Sequence, residues 1–269
     1  MINTTRTGAV IRKELAEFRR NRLIVVTATI LPIVFLISPT ASILAIHAAA
    51  SSALLSKRVD YSLFLPLLVP LFVPATMSAY SVVGEKEQGT LEPLLTTPIT
   101  RVELLLGKAV AIFLPAIIVS YLTFGVFLAI VALFADAPVA TAMWHAPQLP
   151  AEVLFIPLLA AWAIWVGLAI SSKVTETRVA QQLSVLGSLP PLAVISLMSF
   201  QVITPSFGLA AALAGGLLVI DCAACFFVAR LFDRERLVTG TRPNRSAAAS
   251  AAVAAPGTVR RLPPVSGTS

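Results

Sequence analysis

Six long apolar runs constrain this chain more than any other feature. They fall at about residues 23–46, 62–83, 110–134, 152–170, 183–200 and 207–229, and each carries at most one charged residue. A run of about 20 such residues is enough for a helix to cross a hydrocarbon core of roughly 30 Å. The chain is 57% hydrophobic and only 12% charged, whereas a soluble domain is about 25% charged. The expected fold is therefore all-α: a polytopic membrane protein with six transmembrane helices.

The N-terminal stretch 8–22, GAVIRKELAEFRRNR, precedes the first run. Val10, Ile11, Leu15 and Phe18 approximate one apolar stripe, with Arg12, Lys13, Glu14, Glu17, Arg19 and Arg20 around it. That pattern predicts an amphipathic helix lying in the membrane interface against lipid headgroups. The polar start and the length of the first run predict a retained span rather than a cleaved signal. Three domains follow: a 1–22 N-terminus with the interfacial helix, a 23–236 six-helix membrane domain, and a 237–269 tail. The tail is rich in Ala, Pro, Ser, Thr and Arg, has little to bury, and is expected to be disordered.

Prolines mark where the spans cannot be regular. Pro32 and Pro39 should bend or divide span 1. Pro66, Pro70 and Pro74 recur every fourth residue in span 2, and Pro190 and Pro191 predict a break in span 5. Residues 135–150 read as a loop with Trp144 at headgroup level.

Between spans 2 and 3 lies an island, residues 84–108, GEKEQGTLEPLLTTPITRVELLLGK. Gly84 and Gly89 read as breakers on either side of EKEQ. Leu91, Leu94 and Leu95 share one helix face, with Glu85, Lys86, Glu87, Glu92 and Arg101 around it. An apolar centre with a charged rim is ordinary interface anatomy. Thr100 and Glu103 match a capping box, so the next helix should start near Arg101.

The basic residues set the topology. With six spans, eighteen of the twenty lysines and arginines fall on one side, and only Lys57 and Arg58 on the other. Under the positive-inside rule both termini and the island are cytoplasmic. The net charge of +7 lies at span ends and in the tail, which suits an anionic lipid leaflet rather than a nucleic acid.

No catalytic or cofactor motif is present. The sequence lacks HExxH, GxSxG and a phosphate-binding Gly-rich loop, and it has two histidines, His47 and His145. No metal or cofactor is expected. Cys222 and Cys225, three apart in the last span, read as structural. Asp221 is the candidate intramembrane functional residue, because a carboxylate inside a span is costly and suggests a pathway or a partner.

The island resembles the segment between the second and third helices of ABC-2 type transporter permeases, the membrane subunits of ATP-binding cassette exporters. The residues that carry the resemblance are Glu85, Glu87, Gly89, Thr90, Leu91, Glu92, Leu94, Leu95, Pro98, Ile99, Gly107 and Lys108. The stretch RKELAEFRRNR is similar to the family's interfacial helix. The resemblance implies a transport subunit without enzymatic activity of its own, in the cell (plasma) membrane. It implies a separate ABC ATP-binding subunit as partner, and a second permease chain, as a homodimer. Coupling to the ATPase would run through Glu85, Glu87, Gly89, Thr90, Leu91, Glu92, Leu94, Leu95 and Pro98. Two other readings stand beside it: a membrane assembly or anchoring subunit without transport, and an ion-coupled transporter using Asp221.

Overall fold

The computed structural model describes residues 4–46, 52–89, 99–146, 148–199 and 207–231. These are helical nearly throughout. The helices are α1 (Thr4–Arg20), α2 (Arg22–Leu44), α3 (Ser52–Phe64), α4 (Val69–Glu87), α5 (Arg101–Phe134), α6 (Ala137–Trp144), α7 (Leu149–Lys173), α8 (Thr177–Gly187), α9 (Leu189–Ser199) and α10 (Phe207–Leu231). Among the described residues, six stretches are long and apolar enough to cross a membrane: Arg22–Leu44, Ala53–Glu87, Val102–Phe134, Leu149–Lys173, Thr177–Leu197 and Gly208–Arg230. The expectation of six spans is borne out. The expected tail and the segment 90–98 lie outside the described residues.

Several prolines act where helices begin. In span 2 the chain breaks after α3 into a 3-10 turn, Pro66–Leu68, before α4. Pro66 and Pro70 occupy first-turn positions, where the missing N–H would have had no helical partner anyway. Span 5 breaks at Ser188, and Pro190 and Pro191 fall in the first turn of α9. Pro32 and Pro39, by contrast, sit inside one continuous helix, so span 1 is not divided. Residues 135–150 are not all loop either, because α6 packs Val139 and Met143 inward. Within the polar stretch 171–182 only 174–176 lies between α7 and α8.

Span 2 is the centre of the bundle, with 72% of its most apolar window buried, against 17% for the first and last spans. Its closest partner is α7, and small residues make the approach. On α7, Ala163, Gly167 and Ser171 recur every fourth residue, the spacing that lets membrane helices touch backbone to backbone. A Cβ on Gly167 would overlap the Ser78 side chain of α4. The Ser171 hydroxyl donates to the Ala79 carbonyl at 2.8 Å. The outer faces of α2, α5 and α10 expose large apolar side chains, among them Ile33, Ile37, Ile118, Leu122, Val219 and Phe226.

Candidate functional site

The charges of the island do not all face water. Val10, Glu14 and Phe18 follow one another at four-residue steps on α1, and all three are buried. Glu14 therefore sits in the middle of the packed stripe, not on the polar face where its charge would place it. Its neighbour is Lys108 of α5. The Lys108 ammonium donates to Glu14 Oε1 at 2.6 Å and to the Ser81 carbonyl of α4 at 2.8 Å. Ser81 Oγ donates to Glu14 Oε2 at 3.2 Å. Glu85, one turn beyond Ser81, pairs with Lys108 at 2.9 Å and accepts from Lys13 at 2.5 Å. Lys108, Glu14 and Glu85 are 0%, 1% and 4% exposed.

Three helices are thus tied by one buried ionic knot. Lys13 closes it at the surface, bridging Glu85 and Glu17, the latter at 3.2 Å. Burial alone would lower the Lys13 pKa, but Glu85, Glu14 and Glu17 beside it hold the ammonium above its ordinary range. Burial pushes the Glu14 carboxyl up, against the pull of Lys108. Gly107 makes the knot geometrically feasible. A Cβ there would lie 2.7 Å from Val10 Cγ1, so α1 can rest directly on α5 only because Gly107 has none. The carboxylate oxygens of Glu14, Glu17 and Glu85 lie within 4.8 Å of one another, a spacing that suits a cation. The two lysine ammoniums already supply that positive charge.

The last residues of α4 form a second attachment. The Lys86 ammonium donates to the carbonyls of Ser171, Ser172 and Val174, at 3.3, 2.8 and 3.1 Å. It thereby caps the C-terminus of α7, where unpaired carbonyls and the helix dipole favour a cation. Glu87 Oε1 accepts from the Thr177 N–H at 2.9 Å, at the start of α8, where an anion is favoured. Adjacent residues of opposite charge therefore straddle the 174–176 connection.

Gly89 ends α4 in the left-handed region, with φ +67, and its N–H bonds the Lys86 carbonyl at 3.2 Å. Only glycine adopts that conformation without steric cost. Gly84, read as a breaker, instead lies within α4. Across the gap, Thr100 and Glu103 make both bonds of the capping box, at 2.9 and 3.3 Å, and α5 starts at Arg101.

Of the candidate coupling residues, Glu85 is buried in the knot, while Glu87 and Gly89 are exposed. Thr90, Leu91, Glu92, Leu94, Leu95 and Pro98 lie outside the described residues. Lys13, Glu14, Ser81 and Ser171 escaped the sequence reading. The signal for Glu14 was its position between Val10 and Phe18. Asp221 is 4% exposed, and neither of its carboxylate oxygens has a hydrogen-bond partner among the described residues.

A sequence-family model described as ABC-2 family transporter protein matches residues 8–220, most of the 269-residue chain. The chain belongs to the ABC-2 transporter family. The match runs from α1 through the knot and stops one residue short of Asp221. A comparison with curated proteins finds no match. As an ABC-2 family member the chain is a multi-pass membrane component of ABC transport, and the ionic knot lies wholly within the matched region.

Proposed function

We propose that the chain is the permease subunit of an ABC exporter, driven by a separate ATP-binding subunit through segment 84–108. Two copies form the translocation pathway as a homodimer in the plasma membrane. Both termini are cytoplasmic, following the lysine and arginine asymmetry, and α1 lies along the cytoplasmic interface. The chain itself hydrolyses nothing.

The observation that carries this reading is how the segment is anchored. Its first residues hold α1 and α5 through Glu85, and hold the ends of α7 and α8 through Lys86 and Glu87. Its last residue, Lys108, returns to the same knot. A push on 90–98 is therefore delivered to four helices at once. Glu85 acts as the relay inside the permease. Glu87, Gly89, Thr90, Leu91, Glu92, Leu94, Leu95 and Pro98 form the face that docks on the ATPase.

The test is co-purification and nucleotide hydrolysis. Leu94→Asp should abolish recovery of the ATP-binding subunit with the chain and leave membrane insertion intact. Glu85→Gln should leave the complex assembled and slow its hydrolysis. A normal complex with normal hydrolysis in both variants would remove segment 84–108 from the coupling role.

A further inference from the structure

A cavity of about 250 Å³ lies between α7, α9 and α10. No charged residue lines it. The one polar side-chain group in its walls, the Trp162 indole N–H, already donates to the Gly187 carbonyl at 3.0 Å. An occupant therefore meets neither an ion partner nor a free side-chain donor.

The cavity has a floor and a mouth. Among its lining residues, Phe155 and Leu159 of α7 and Pro191 and Ile195 of α9 are buried, whereas Val194 of α9 and Gly216 and Ile220 of α10 are exposed. Helix α9 packs mainly on α3 and α8, and α10 mainly on α7. The mouth is thus the gap between α9 and α10. Along α7 and α10 the lining runs from roughly 8 to 20 Å beyond the first residue of each helix, so it lies at hydrocarbon depth rather than among headgroups.

Small side chains on α10 leave this space open. Ala212 and Gly216 are four residues apart, the spacing at which membrane helices touch, as α7 does where Gly167 meets Ser78. Nothing comes as close on α10: a Cβ on Gly216 would find no atom within 4 Å. Left empty, the space forfeits van der Waals contacts along every wall, and an apolar cavity of about 150 Å³ is already large enough to take up benzene.

We propose that the α7–α9–α10 cavity is a binding site for one acyl chain of a membrane phospholipid, which enters between α9 and α10. Such a chain carries no charge, needs no hydrogen bond and is present at this depth of the bilayer. It lies against Phe155, Leu159 and the Trp162 ring, and fills the gap that α9 and α10 do not close by their own contacts. The proposal goes beyond the permease reading and does not depend on it.

Trp162 makes the site readable. With Trp144→Phe and Trp165→Phe it is the sole tryptophan of the 269-residue chain. The double variant is placed in nanodiscs of phosphatidylcholine mixed with the same lipid brominated on its acyl chains, a contact quencher of indole fluorescence. Quenching should rise linearly with the brominated fraction, as expected for a single chain site. Gly216→Leu adds a side chain where the space is open, and should relieve most of the quenching in protein that melts like its parent. Gly208→Leu, equally unobstructed and outside the cavity, should leave it unchanged. Absence of quenching, a steep non-linear dependence typical of general lipid contact, or full quenching in Gly216→Leu would overturn the proposal. Loss of a dimer in Gly216→Leu, with Trp162 unquenched in the parent, would give the mouth to a second copy of the chain instead. None of these outcomes bears on coupling through segment 84–108, which co-purification and hydrolysis test separately.

Discussion

Two of the groups of buried charge in the described residues are built in opposite ways. At the basic end, Lys108 has Glu14 at 2.6 Å and Glu85 at 2.9 Å, and Lys13 completes the balance. On α10 and α7, Asp221 and Glu152 have carboxylate oxygens without a hydrogen-bond partner among the described residues. A buried charge is tolerated when it is paired and hydrogen-bonded, and is costly when it is not. The paired group joins helices from three parts of the sequence. The first arrangement suits a mechanical joint, and the second leaves the cost of burial uncompensated.

The contrast is sharpest in what neutralisation does. Lys108→Met leaves Glu14 and Glu85 buried without their cation, and should cost about 3–5 kcal/mol of stability. A large fall in the unfolding temperature of the purified chain would register it. Asp221→Asn removes a charge that has no partner to abandon, so the same measurement should show no loss. If both variants melted alike, the distinction between the two groups would fail.

Gly107→Leu attacks the joint by shape rather than charge. The added side chain must displace Val10, and overpacking of this kind costs about 1–3 kcal/mol. Limited proteolysis should then cut the N-terminal helix α1 faster than in the parent chain. A smaller stability effect than at Gly107 is expected at Thr100. Thr100→Ala loses one half of the capping box, worth about 1 kcal/mol, and should shift the unfolding midpoint slightly.

The spans were legible because membrane helices must satisfy their backbone internally and show lipid an apolar surface. The start of α5 was legible because Thr100 and Glu103 act over one local turn. Pro66, Pro190 and Pro191 were legible as breaks but not as helix starts, since that depends on where the preceding turn ends, and Pro32 and Pro39 divide nothing. Helix α8 was hard to read because Gln181, Gln182 and the charged residues mask a helix whose buried side is only Ala180 and Ser184. The knot was the hardest to see. Glu14, Glu85 and Lys108 are far apart in sequence, and each looks like a solvated charge on its own helix. Only the fold shows that their three stripes converge.

The decisive measurement is nucleotide hydrolysis by the full complex in lipid nanodiscs, made with the triple variant Glu14→Met, Glu85→Met, Lys108→Met. Replacing a whole buried charge set by apolar groups is often neutral for stability, so the variant should fold and keep its ATP-binding partner. If the knot carries motion from segment 84–108 into the spans, hydrolysis should no longer respond to the permease and should match that of the ATP-binding subunit alone. A stable triple variant that stimulates hydrolysis as the unaltered chain does would show that the knot only holds the fold together.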